Sequence, residues 1–265
     1  MLPVLTVAGL TIPTGPLALL LAYYVGTELG ARALGRLAPR PGARQTHWQT
    51  AFANASLLAL AAGLIGARLG YAVRFSSLYW QSPLLLLSPR PGALLPLPGL
   101  LAAGAAGMLF LARKDIGLWA IADATTVGVA GALVVFNLGR FLTGAAYGLP
   151  TELPWAVELW GVRRHPVQLY EAAALIVVVA FLWQRLPRAQ TGETFWRFVV
   201  LDGVSVLVLD AFHATSPTWI LGIRIPQVMA LAALLAGLYV LSFYARRAET
   251  PTATGDPQPV SAPSR

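Results

Sequence analysis

The run Arg163-Arg164-His165-Pro166-Val167-Gln168-Leu169-Tyr170-Glu171, continuing into Ala172-Ala173-Ala174-Leu175-Ile176-Val177-Val178-Val179-Ala180-Phe181-Leu182-Trp183, decides how this chain is read. His, Gln, Tyr and Glu fall within seven residues at the point where a long apolar segment begins. Pro166 suits the first position of a helix, where its fixed φ helps and its missing N–H is not needed. Polar groups at the edge of hydrocarbon are costly unless paired or used. The stretch therefore reads as a polar site at the mouth of a membrane helix.

Composition agrees. Of 265 residues 57% are hydrophobic and only 11% charged, with mean hydropathy +0.65, against roughly 25% charged in soluble domains. No polar stretch is long enough for a separate soluble domain. With no cysteine there is no disulfide, thiolate metal site or catalytic thiol, and three scattered histidines make no metal site. The net charge of +8 could suggest nucleic acid. The basic residues flank apolar runs instead, as orientation signals and contacts with anionic headgroups do. The start has neither a basic leader region nor an A-x-A cleavage site, so it is read as the lead-in to the first span.

Seven spans are expected, near residues 15–34, 51–73, 94–112, 118–138, 167–183, 198–212 and 227–244, in an all-α membrane domain over 1–245. Residues 246–265 are expected to form a disordered cytoplasmic tail, rich in Pro, Thr and Ser. Pro96 and Pro98 should kink the third span or leave a re-entrant start. Alternate loops carry twelve and six basic residues, with Arg68 inside a span. The richer set marks the cytoplasm, which puts the N-terminus outside, the C-terminus inside, and the polar runs around Arg140, His165 and His213 on the outer face.

Several stretches together resemble the prolipoprotein diacylglyceryl transferases. Arg164-His165-Pro166-Val167-Gln168-Leu169-Tyr170-Glu171 is similar to that family's R-H-P-x-Q-L-Y-E motif. In the right order come Gly66-Ala67-Arg68-Leu69-Gly70-Tyr71, Ala122-Asp123 with Gly128, Gly144 to Thr151 followed by Leu153-Pro154-Trp155-Ala156, and Gln227 at the last span. The resemblance implies a seven-span enzyme of the bacterial inner (plasma) membrane. It would move diacylglyceryl from phosphatidylglycerol to a lipobox cysteine of a lipoprotein precursor, with no cofactor or metal. Other family patterns are altered. An H-G-G stretch reads Leu97-Pro98-Gly99, and the R-F-x-x-E of the sixth span reads Val206 to Asp210. In G-R-x-G-N-F-x-N-G-E, the Arg position holds Asn137, the first Asn holds Arg140 and the Glu holds Ala145. Two readings stay open: a transferase whose site is rebuilt, or a homologue that binds phospholipid or lipoprotein without transfer. A small transporter, suggested by the intramembrane acids, is a third. The sequence carries no sign of an oligomeric state.

Within the resemblance, His165 is a candidate base for the thiol, since imidazoles titrate near neutral pH; alone, an interfacial His would read as a hydrogen-bonder. Gln168 and Glu171 share a helix face with it. Glu171, one turn into the span, needs a partner, and Arg68 is the expected one. Tyr170 reads as an aromatic-belt anchor. Arg140, three residues beyond Asn137, is the expected lipid-phosphate cation, since a guanidinium binds phosphate oxygens in pairs. Asp210, at the family's Glu position, and His213 three residues later could form an acid–base pair near the headgroups, or a helix-end pair that only faces water. Asp202 is expected to bond a neighbouring helix, with Glu28 and Asp123 structural in the same way. Arg224 could reach a headgroup.

Overall fold

A computed structural model describes residues 4–7, 10–39, 42–88, 92–219 and 222–249. A short antiparallel hairpin, β1 (Val4–Val7) and β2 (Leu10–Pro13), leads into α1 (Thr14–Arg36). Then follow α2 (Ala43–Arg74), α3 (Ser76–Gln81), α4 (Pro96–Ala112) and α5 (Leu118–Thr143). A second hairpin, β3 (Val157–Leu159) and β4 (Val162–Arg164), precedes α6 (Val167–Arg185), α7 (Glu193–Leu209) and α8 (Ile225–Glu249). Five helices are long and apolar enough to cross a membrane: α1, α2, α5, α6 and α8. The two other long elements, α4 and α7, are 17 residues each. A helix thus stands at each of the seven expected places, and five of the seven have a span's length and hydropathy.

The outside of the bundle is apolar. Leu20, Ile65, Leu100, Val177 and Met229 are all more than half exposed, far more apolar surface than a protein in water presents. The solvent for these faces is hydrocarbon, and the chain is an integral membrane protein. Between helices, small residues replace the hydrophobic drive that lipid removes. A Cβ on Gly26 of α1 would stand 3.1 Å from the Gly128 carbonyl of α5, and one on Gly99 of α4 2.9 Å from the Gly63 carbonyl of α2. Pro96 and Pro98 do not break α4; they sit in its first turn, where proline fits.

One end of the bundle is closed. Leu34, Trp48, Leu111, Ile121 and Leu182 pack there into a buried core. There too Asp123 of α5, 1% exposed, accepts the backbone N–H groups of Gly192 at 2.6 Å and Phe195 at 2.8 Å, capping the start of α7. Asp123 is structural, as expected. Glu28 pairs with Arg32 one turn on, at 2.6 Å on an exposed face. α8 runs to Glu249, so Arg246 and Arg247 of the expected tail are helical, and residues 250–265 lie outside the described residues.

The other end is open, and it collects the polar candidates. α5 stops at Gly144, whose φ of 71° closes the helix in the left-handed conformation. The chain then runs through 145–151 as a ribbon held on both sides. Leu149 donates to the Phe212 carbonyl at 2.8 Å and accepts from the His165 N–H at 3.1 Å. Ala214 donates to the Tyr147 carbonyl at 3.1 Å. This ribbon joins the end of α5, the start of α6 and the end of α7.

Candidate active site

At the open end α5, α6 and α7 part to form a cavity of about 420 Å³. α5 contributes Asn137 and Arg140, α6 contributes Glu171, and α7 with the residues after it contributes Asp202, Asp210 and His213. Spacing explains the selection. Asn137 and Arg140 are three apart on one helix face; Asp202 and Val206 are four apart along α7, and Asp210 directly follows its last residue.

Glu171 is the centre of the polar network. Its Oε2 accepts from Arg140 at 3.2 Å, and its Oε1 lies 2.8 Å from His213 Nε2. Arg140 also donates to Asn137 Oδ1 at 3.0 Å. Because a carboxylate only accepts, His213 Nε2 carries a hydrogen. The second ring nitrogen, Nδ1, has no hydrogen bond among the described residues. Carboxylate, imidazole and guanidinium therefore form one line along the cavity wall, each half-buried or more.

Three expected pairings are corrected. Glu171 does not meet Arg68. Arg68 donates to the backbone carbonyls of Leu85, Leu86, Ser88 and Ala93, tying the segment between α3 and α4 to α2. A guanidinium with five donors suits such a row of carbonyls. His213 pairs with Glu171 and not with Asp210. A 3₁₀ turn over Asp210–Phe212 separates the two side chains, and the Asp210 carboxylate instead accepts from Ser216 and lies 3.6 Å from Arg224. Arg224 turns inward, donating to the backbone carbonyls of Asp210 and His213. Asp202 bonds no neighbouring helix among the described residues; it lines the cavity.

His165 stands outside that lining. Its ring lies 5.1 Å from the Phe212 ring and its Nδ1 3.3 Å from the Tyr170 hydroxyl. Tyr170 in turn takes the indole N–H of Trp155 at 2.7 Å, a contact the belt-anchor reading missed. Gln168, 2% exposed, donates to the carbonyls of Ala145 and Ala146 and so holds the ribbon. The structure thus brings Arg140, Asn137, Glu171, Asp210 and His213 together and leaves Arg68, His165, Gln168 and Tyr170 as neighbours or supports. The inward role of Arg224 was not foreseen. Its sequence signal was only a basic residue just before a span.

The chain matches the family model described as prolipoprotein diacylglyceryl transferase over residues 5–243. It is 30% identical over 203 residues to a protein of Geobacter sulfurreducens, covering 72% of this chain and 77% of that one. It is 29% identical over 190 residues to one of Clostridioides difficile, covering 70% and 75%. A protein of Roseobacter denitrificans is 26% identical over 258 residues, covering 84% and 88%. All three are named phosphatidylglycerol–prolipoprotein diacylglyceryl transferase.

Proposed function

We propose that this chain, which belongs to the prolipoprotein diacylglyceryl transferase family, transfers diacylglyceryl from phosphatidylglycerol to the cysteine thiol of a lipoprotein precursor. The observation that carries the reading is the Arg140–Glu171–His213 line in the wall of the open cavity. It supplies a cation for a phosphate and a base backed by a carboxylate, the two groups that this displacement needs.

The chemistry follows from those parts. The cysteine thiol gives its proton to His213 Nδ1, and Glu171 stabilises the imidazolium through Nε2. The sulfur attacks the glycerol carbon that carries the phosphate ester. A carbon–sulfur bond forms, the carbon–oxygen bond breaks, and glycerol phosphate departs with the electron pair. Arg140 faces the charge that grows on the leaving phosphate, where fixed charge in a dry site is most effective. Asn137 orients the guanidinium, replacing by support the charge that the family pattern has at its own position. Asp210 and Arg224 fix the backbone that carries His213.

In this reading α4 and α7 cross as well. At 1.5 Å per residue each is about 26 Å long, near the roughly 30 Å hydrocarbon core. Seven spans put the N-terminus outside, the C-terminus in the cytoplasm, and the cavity at the outer leaflet of the inner membrane, with the tail from 246 inside. The binding-only and transport readings have no observation of their own to support them.

The test is a transfer assay with purified protein, labelled phosphatidylglycerol and a synthetic lipobox peptide. The expected result is a peptide mass gain of one diacylglyceryl group that disappears with His213→Gln. Lipid binding without mass gain would replace the transferase reading with the binding-only one.

A further inference from the structure

We infer that His165 is a positioning residue for the base, held as the Nε2–H tautomer by a Trp155–Tyr170–His165 hydrogen-bond chain and not itself the proton acceptor. The inference rests on the transferase reading for its kinetic consequence but not for its geometry.

The direction of the chain is fixed at one end. An indole N–H donates and has no acceptor. Trp155 Nε1 lies 2.7 Å from the Tyr170 hydroxyl, so the phenol oxygen accepts there. The phenol keeps its own proton, and among the described residues His165 Nδ1, 3.3 Å away, is the acceptor within reach. In a neutral imidazole one nitrogen accepts and the other carries hydrogen. Network assignment therefore puts the His165 hydrogen on Nε2. The lone pair that a base would need is engaged by Tyr170.

The same chain sets where the ring lies. His165, Tyr170 and Phe212 form a three-ring cluster, with centroid separations of 5.1 Å from His165 to Phe212, 6.3 Å from Tyr170 to Phe212 and 6.1 Å from His165 to Tyr170. Phe212 is the residue before His213. The backbone repeats the connection: His165 N–H bonds the Leu149 carbonyl and Leu149 N–H bonds the Phe212 carbonyl. Gly148 lies so close to His165 that a Cβ there would stand 2.7 Å from the His165 Cβ. His165 is thus wedged between the ribbon and Phe212, outside the cavity, and whatever tilts its ring moves the neighbour of His213.

Two readouts test this. The first is the ¹⁵N spectrum of ring-labelled histidine in full-length protein in phosphatidylglycerol vesicles, with the His165 signals assigned by His165→Asn. An acceptor Nδ1 and a protonated Nε2 are expected, and Tyr170→Phe should disturb them. A protonated Nδ1 in the wild type would overturn the inference. The second is the pH dependence of peptide transfer between about pH 5 and pH 8. Tyr170→Phe and His165→Ala should lower the rate, by up to about 100-fold for a misplaced base, while the acid limb of the profile keeps its midpoint. His165→Asn, whose amide oxygen can replace the acceptor Nδ1, should recover part of the loss. Disappearance of that limb in His165→Asn, with its survival in His213→Gln, would make His165 the base and overturn the inference. If the wild type transfers nothing, the transferase reading fails, and the spectrum alone decides the tautomer.

Discussion

His165 and His213 lie on either side of Phe212, one against its ring and the other next to it in the chain, yet their surroundings differ in kind. His213 faces a carboxylate across 2.8 Å in a cavity wall. His165 faces a phenol and one further aromatic ring, that of Phe212, outside that cavity. The stretch around His165 is the one that most resembles the family, while the stretch around His213 departs from it. The strongest motif sends His165 to a ring cluster outside the cavity and Glu171 into the cavity lining, where the altered segments supply Arg140 and Asp210. Sequence likeness and chemical involvement are separate properties of a residue, and only contacts tell them apart.

The largest expected effect separates the two histidines directly. His213→Gln should lower peptide transfer by roughly 10²- to 10⁴-fold, the usual contribution of a positioned base. An unchanged rate would erase the distinction. Arg140→Ala comes next. Loss of charge-assisted bonds of about 1.5–3 kcal/mol should reduce kcat/KM for the lipid by roughly 10- to 100-fold, and Arg140→Lys should keep part of it. A titration with phosphatidylglycerol vesicles checks whether lipid binding falls in step. Trp155→Phe, which removes the first link of the aromatic chain, should cost only a few-fold and leave the lipid KM alone. A shift in the lipid KM would place Trp155 in the substrate's path.

A last prediction contrasts the open end with the closed one. Asp123→Ala leaves two backbone N–H groups at the start of α7 without their acceptor. Thermal unfolding in detergent should report a loss of about 1–3 kcal/mol, with kcat unchanged at temperatures where the protein stays folded. A drop in kcat there would mean that the closed end participates in catalysis through α7.

Much of the fold was legible. Hydropathy located every long helix, because a span of apolar residues is a local property. Length was harder: the lead-in residues 43–50 of α2, with Arg44, Gln45 and His47, are polar, and nothing in hydropathy shows that they continue the helix. Within the site, Arg140, Glu171, Asp210 and His213 could be picked out as polar residues at span ends. Their partners could not. Glu171 and Arg68 both sit near the same end of their spans, but the rotation of α2 turns Arg68 to the carbonyls of Leu85, Leu86, Ser88 and Ala93. Asp210 and His213 are three apart and would share a face in an α-helix, yet the 3₁₀ turn over Asp210–Phe212 changes the angle between them. Helix rotation and terminal turns are set by packing, which no single segment encodes.

Glu171 serves two partners with one carboxylate, Oε2 toward Arg140 and Oε1 toward His213. In the proposed reaction a lipid phosphate arriving at Arg140 competes for the guanidinium and leaves Glu171 to His213 alone. The carboxylate turns wholly to the imidazole only after the donor is seated. The proposed reaction thereby orders the two substrates: lipid first, peptide second. Peptide affinity and thiol reactivity should both rise when phosphatidylglycerol is present, and a lipid-independent thiolate would show that no such order exists. Where the order holds, the shared carboxylate acts as an interlock, keeping the nucleophile unformed until there is something for it to attack.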